Sequence, residues 1–188
     1  MTRPRILLIS CALGLLAIAS VASATSVLYL TDERQAELST AVVVATVGTA
    51  VAADDAARGH ILTRTSIKVE EILAGDAPPE LTVIQTGGTV GNRTLHVPGD
   101  ARLEHGERCV LFLRQVDGAW SLTALEQSKY GIEDSVFGER LRRPHLGGLF
   151  TYDADGALVP FEEPVKPVVT LQAFRARMAK VTGQSEAQ

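Results

Sequence analysis

His60-Ile61-Leu62-Thr63-Arg64-Thr65-Ser66-Ile67-Lys68-Val69-Glu70 is the stretch on which the fold is read. Ile61, Thr63, Thr65, Ile67 and Val69 share one side, and His60, Arg64, Ser66, Lys68 and Glu70 share the other. That is the period of two that a strand with one buried and one wet face requires. The parity slips at Glu70-Glu71-Ile72-Leu73, which predicts a bulge or the end of the strand. On the upstream side, Ala41 to Val51 is dense in Val and Thr, β-branched residues that suit a pleated surface better than a helix. It reads as a long central strand, joined to the first by a polar loop over Asp54–Gly59.

Downstream, Gly75-Asp76-Ala77-Pro78-Pro79 breaks the chain and Leu81 to Gln85 starts another strand. A flexible Gly87-Gly88-Thr89-Val90-Gly91 precedes a short strand over Arg93–Val97 and a turn at Pro98-Gly99-Asp100. Arg108 to Arg114 is apolar on both faces and so is expected at the centre of a sheet. Asp117-Gly118 turns it into Trp120–Ala124, and Lys129–Glu133 makes one more strand. Two helices flank this set. Thr31 is a cap for a short helix that ends near Leu38, with Asp32 and Glu33 in its first turn. Thr170 caps a second, whose Leu171, Phe174, Met178 and Val181 recur at helical spacing, with Gly183 placed past its end. Between them, Phe150–Phe161 reads as a hairpin around Asp153-Ala154-Asp155-Gly156, after a basic cluster of Arg140, Arg142, Arg143 and His145 and before a two-proline stretch over Glu162–Pro167. Short strands separated by turn signals predict a mainly all-β fold, an OB-like antiparallel β-barrel with a short N-terminal and a C-terminal helix. The expected organisation is a leader over 1–24, a barrel over 25–134 and a C-terminal extension over 135–188 packed on the barrel.

The leader is read from Arg3 and Arg5, the apolar run Ile6–Ala19 and the small-residue site Ala22-Ser23-Ala24. This is the pattern of a secretory signal cleaved before Thr25, which predicts a secreted, periplasmic or cell-envelope location. An uncleaved anchor is the alternative, but a spanning helix needs about 20 strongly apolar residues and this run decays into Ala and Ser. No stable transmembrane segment is expected after cleavage. Cys11 loosely fits a lipid-modified cysteine, although most of the apolar segment follows it rather than precedes it. Loss of Cys11 with the leader would leave Cys109 alone, so no internal disulfide is expected. Cys109 lies in the apolar run Cys109–Leu113 and reads as a small buried hydrophobe.

The chain of 188 residues is 46% hydrophobic and 21% charged, too apolar for a disordered protein. Its 18 Lys and Arg stand against 22 Asp and Glu, a net charge of −4, and removal of Arg3 and Arg5 makes the remainder still more acidic. Without a basic block there is no footprint for nucleic acid, and none is expected as a partner.

No assembled chemistry is legible. Gly87–Gly91 lacks the Gly-Lys-Ser/Thr of a phosphate loop. Asn92-Arg93-Thr94 matches a glycosylation acceptor, which matters only in a eukaryotic secretory pathway. Asp153–Gly156 lacks the distant Glu of a calcium loop. His96, Asp100, Glu104 and His105 cluster within ten residues, so a metal site is conceivable, yet HExxH, HxH and CxxC spacings are missing. There is no GxSxG elbow. No catalytic residue, metal ligand or cofactor is assigned.

Three segments carry a resemblance. Ser39–Val47, Val69-Glu70-Glu71-Ile72-Leu73-Ala74-Gly75-Asp76 and Gly106-Glu107-Arg108-Cys109-Val110-Leu111-Phe112-Leu113, with Gly87–Gly91 and Val97-Pro98-Gly99 between them, resemble uncharacterised secreted bacterial proteins. Those carry a netrin-like, tissue-inhibitor-of-metalloproteinase-like OB-fold domain. The resemblance spans residues 39–133 and implies the barrel. It implies no inhibitory residue, because those inhibitors act through an N-terminal cysteine and the expected terminus here is Thr25. The function expected is therefore an exported, non-catalytic binding or interaction module, with inhibition of a protease as one form of it and an exported or envelope protein as the partner. Its candidate binding residues lie on two loops: Gly87, Gly88, Thr89, Gly91 and Asn92 on one, Pro98 and Asp100 on the other. Two alternatives stay open: a metal-dependent hydrolase using His96 and His105, and a structural envelope protein.

Overall fold

The computed structural model describes residues 27–56, 59–136, 138–143, 149–161 and 168–185. The leader over 1–24, Cys11, Thr25, His145 and Glu162–Pro167 lie outside them. The described chain is mostly β. In order it forms β1 (Val27–Leu28), α1 (Asp32–Leu38), β2 (Ala41–Asp55), β3 (His60–Gly75), β4 (Glu80–Thr86), β5 (Gly88–Val90), β6 (Arg93–Leu95), β7 (Arg108–Val116), β8 (Ala119–Leu122), a 3-10 turn (Leu125–Ser128), β9 (Lys129–Glu133), β10 (Arg140–Arg142), β11 (Leu149–Tyr152), β12 (Leu158–Pro160), β13 (Val169–Thr170) and α2 (Leu171–Ser185).

β2 and β3 form one long antiparallel ribbon, and its irregularities give it curvature. Leu73 and Glu70 are each skipped in the pairing, and Gly48-Thr49 stand together opposite Ser66. The parity slip read at Glu70–Leu73 is thus a pair of bulges. Such extra residues bend the strand and increase its twist. The bend lets the ribbon curl until β4, paired to β3, meets β8 through the single parallel link Val83↔Trp120. β8 is paired to β7 and β7 to β2, so five strands close a ring in the order β2–β3–β4–β8–β7. The expectation of a wholly antiparallel arrangement fails at that link, and again outside the ring where β1 runs parallel to β11. β2 also continues through Asp54↔Ile61 and Asp55↔His60, so the expected loop at Asp54 is shorter than read.

Alternation along β2 and β7 sorts their side chains into two cores. Ala41, Val43, Ala45 and Val47 of β2, with Cys109, Leu111 and Leu113 of β7, fill the ring together with Ile67, Val83, Trp120 and Leu122. Val42 and Val44, with Val110 and Phe112, point outward under α2, where they meet Leu171, Phe174 and Met178. Burial on both faces is why both strands read as continuously apolar. Phe112, Tyr130 and Phe174 pack ring to ring, the Phe112–Phe174 pair edge-on at 86° with centroids 6.1 Å apart. Full burial of a side chain such as Phe174 or Met178 contributes roughly 2 kcal/mol.

The helix ends follow their sequence signals with one exception. The Arg34 N–H donates to Thr31 Oγ1 at 3.2 Å, and Asp32 and Glu33 occupy the first turn of α1. The Ala173 N–H donates to Thr170 Oγ1 at 3.2 Å at the start of α2. That helix runs through Gly183 to Ser185 instead of stopping before it. A glycine inside a helix is tolerated at a loss of about 1 kcal/mol relative to Ala.

Candidate functional site

The ring has a covered outer side and a bare one. α1 and α2 cover β2 and β7. On the bare side, a cleft of about 560 Å³ runs from the β2–β3 tip across β3 and β4 to the β7–β8 turn. Its floor is apolar, made by Leu62, Ile84, Val116 and Ala119. Trp120, the protein's one tryptophan, lines it while being only 8% exposed. Asp54, Asp55 and Ala56 close one end.

The register explains which side chains point into this space. Val83 and Trp120 face the ring interior, so Ile84 and Ser121, one residue on, face outward. Arg64 is paired with Ile84 and Arg114 with Ser121. One outward row therefore crosses four strands as Arg64, Ile84, Ser121, Arg114. Adjacent strands lie about 4.8 Å apart, so the two arginine backbones are about 14 Å apart along the row.

The charges at this site differ from those elsewhere. Among the described residues, every other arginine meets a carboxylate. Arg34 pairs with Glu37, Arg93 with Asp54, Arg102 with Glu104, Arg140 and Arg142 with Glu133, Arg143 and Arg177 with Asp32. Arg108 takes Glu70 and Glu139, and Arg175 grips Glu71 with both nitrogens. Those hydrogen bonds raise the Arg108 and Arg175 pKa values and lower that of Glu70, to which Thr46 also donates. Arg64 and Arg114 are exposed and meet no carboxylate among the described residues. Both stand on the cleft, whereas Asp54 at its end is held by Arg93.

The residues singled out from sequence lie elsewhere and do not form one surface. Gly87 is buried: its N–H donates to the Ile61 carbonyl at 2.8 Å, and its own carbonyl accepts from Thr63 Oγ1 at 2.7 Å. Gly88 has φ of 123°, and a Cβ there would stand 2.4 Å from Thr63 Oγ1 and 3.0 Å from Ala52 Cβ. These two glycines let the β5–β6 hairpin press against the inner face of the β2–β3 ribbon. Thr89 faces Thr94, hydroxyl to hydroxyl at 3.0 Å, and Gly91 and Asn92 form the exposed tip. Pro98 is exposed, while Asp100 is half-buried and its Oδ1 accepts from the Ala101 N–H at 2.9 Å. Burial raises the Asp100 pKa, against hydrogen bonds from Gln85 and Ala101 and the nearby charge of His96 that lower it. This turn is docked, since the Glu126 N–H donates to the Gly99 carbonyl at 2.9 Å.

His96 and His105 are both exposed, and among the described residues no three His, Cys, Asp or Glu side chains are gathered so as to hold a metal ion. Cys109 is fully buried, and that burial pushes its thiol pKa up to about 12. A smaller cavity of about 130 Å³, between Ala101 and Arg142, is lined by the closed ion pair of Lys129 and Glu107 at 2.5 Å. Lys129 also donates to the Arg102 carbonyl. No family model, curated protein or solved structure matches the chain.

Sequence reasoning passed over Arg64, Ile84, Arg114 and Val116. Arg64 was legible as a wet-face residue, but its relation to Arg114 is created by the parallel link between β4 and β8, which no local pattern announces.

Proposed function

We propose that this protein is an exported, non-catalytic binding module on an OB-like barrel of the netrin-like kind, whose ligand face is the outer cleft on β3, β4, β8 and β7. The observation that carries the reading is the position of the cleft. It lies over the second and third strands of the ring, between the loop joining the first two and the turn joining the last two. In OB barrels that same face and those two connections hold ligands. Fold analogy says where a ligand binds, not which one. Export is supported by the charged, then apolar, then small-residue order of Arg3 to Ala24. The partner in this reading is another exported or envelope protein, met by the cleft more than by the Gly87–Asn92 and Pro98–Gly106 loops.

Photo-crosslinking at single positions tests this. A crosslinking side chain at Ser121, in the cleft, is expected to capture one discrete partner in the cell envelope, and one at Thr94, on the hairpin, to capture little. Capture at Thr94 alone, or an unchanged Ser121 product when Ile84→Glu places a charge on the apolar floor, refutes the cleft as the ligand face.

A further inference from the structure

Resting on the reading of the cleft as a ligand face, we infer that its occupant is an extended acidic peptide segment of a partner protein. Two carboxylates four residues apart engage Arg64 and Arg114, and the side chain midway between them lies on Ile84.

The argument begins with the two cations. A folded chain that pairs its other described arginines and leaves two bare on one row of one cleft holds a localised positive site on a surface whose total charge is −4. Arg presents a planar fork suited to carboxylates, and charge complementarity of this kind sets specificity and encounter rate. The spacing then selects the ligand's conformation. In an extended chain, side chains at i, i+2 and i+4 point to one face and each residue advances about 3.3 Å, so positions i and i+4 lie about 13 Å apart. That matches the row of about 14 Å from Arg64 to Arg114. The middle position falls over Ile84 and Ser121, where an apolar side chain meets an apolar floor. In a helix the same two residues would be only about 6 Å apart and would not span the row.

A polyanion fits less well. The negative net charge repels a ligand charged along its whole length more than one that carries two charges. Single-stranded nucleic acid needs exposed aromatic platforms, and the cleft's aromatic residue, Trp120, is 8% exposed.

A dye on the peptide's N-terminus, read by fluorescence anisotropy, supplies the assay, because Trp120 faces the ring interior. The probe is a short capped peptide carrying Glu, Leu and Glu at i, i+2 and i+4, with Ser elsewhere. Variants move the second Glu to i+3 or replace both Glu by Gln. The i,i+4 peptide is expected to bind, at least about tenfold tighter than either variant, with affinity falling as salt is raised. Arg64→Glu and Arg114→Glu, both at exposed positions, should each weaken it about tenfold, and the doubly reversed protein should bind the peptide with Lys in place of Glu. Equal affinity at both spacings, or indifference to both reversals, overturns the inference. Tighter binding of a sulfated oligosaccharide overturns it in favour of a glycan. If the Gln peptide binds as well as the Glu peptide and Ile84→Glu abolishes both, the acidic occupant falls while the cleft stands. If no peptide binds but the crosslinker at Ser121 still captures a partner, the result is the same. If neither a peptide nor a partner is found there, both fall.

Discussion

Replacement of Asp32 by Ala should destabilise the protein by about 3 kcal/mol, the lower end of the range for removing one partner of a buried ion pair. The Asp32 carboxylate accepts from Tyr130 Oη at 2.6 Å and from Arg177 Nη1 at 2.7 Å, and Arg143 donates to the same group. It thereby joins α1, β9, the chain after β10 and α2. The carboxylate is 11% exposed and Arg143 14%, so loss of Asp32 takes a nearly buried acceptor from both Arg143 and Tyr130. Arg177 is 37% exposed and can turn to water, which places the effect near the bottom of the range. Arg143 also lies over the Tyr130 ring at 4.8 Å, a contact that survives the substitution. Tyr130→Phe removes the hydrogen bond donated to Asp32 and the one accepted from Arg143, and leaves the ring packed on Phe112 and Phe174, for about 2 kcal/mol. Because the two groups share one network, the double variant should fall short of the sum by about 1 kcal/mol. Urea unfolding followed by far-ultraviolet circular dichroism measures all three. With a slope of about 2 kcal/mol/M, Asp32→Ala moves the midpoint down by about 1.5 M. A loss below about 1 kcal/mol, or strict additivity with Tyr130→Phe, would refute the claim that this network ties the helices to the sheet.

Gly88→Ala should destabilise by about 2 kcal/mol or more, since φ of 123° and a Cβ 2.4 Å from Thr63 Oγ1 each oppose a side chain; an unchanged thermal midpoint contradicts the close packing of the β5–β6 hairpin. Cys109, with its thiol pushed up to about 12, should resist alkylation at pH 8 in the native protein and react once guanidinium unfolds it; rapid native labelling followed by mass spectrometry would show the site is open. Glu70 has a folded pKa below its unfolded value, chiefly through the Arg108 hydrogen bond, so its stabilising contribution is present above the unfolded pKa and lost as pH falls through the folded one. Glu70→Gln should therefore reduce the difference in stability between pH 7 and pH 3, as read by urea titration at each pH. Asp100 has the opposite sign: its folded pKa is raised, so its contribution is present below the unfolded pKa and fades as pH rises through the folded one. Asp100→Asn is expected to gain stability relative to wild type as pH goes from 3 to 7, and a relative loss would point to the Ala101 hydrogen bond as the dominant effect.

The elements were legible where local chemistry decides them. The alternation around Ile61–Val69, the two-sided apolarity of Cys109–Leu113, the cap at Thr31 and the turn at Asp117-Gly118 each specify an element without tertiary help. Asp117 and Gly118 both adopt positive φ, 51° and 79°, as a tight two-residue hairpin demands. What stayed hidden depends on contacts between distant segments. Gly87 and Gly88 carry a loop signal and a close-packing signal in the same letters, and only the neighbouring Thr63 and Ala52 decide between them. The basic cluster Arg140, Arg142 and Arg143 read as a charged patch, yet it is spent on Glu133 and Asp32. Arg64 reads only as a wet-face residue and Arg114 only as the end of a strand, because a lone arginine in such a place is ordinary. Their significance arises from the absence of partners, and that is a property of the folded surface rather than of any window of sequence.

The division of the ring into a covered and a bare half follows from where apolar residues outlast the interior's need for them. β2 and β7 carry more valine, leucine and phenylalanine than the ring can hold, so Val42, Val44, Val110 and Phe112 demand a second cover, and α2 supplies it through Leu171, Phe174 and Met178. Its position is then fixed by ion pairs on either flank of the helix, Arg175 with Glu71 and Arg177 with Asp32. The end of β3 joins that cover through Leu73 and Ala74, but its Leu62–Lys68 part, β4 and β8 present polar or single apolar residues outward, too few to hold a helix by hydrophobic burial. Val116 and Val51, 50% and 64% exposed, stay open on or beside that side, with the two unpaired arginines between small and polar neighbours. A surface built this way lacks the apolar area for a permanent intramolecular cover but holds two localised charges and a shallow apolar floor. For the binding role proposed above, charge sets orientation and a modest apolar contact sets residence time.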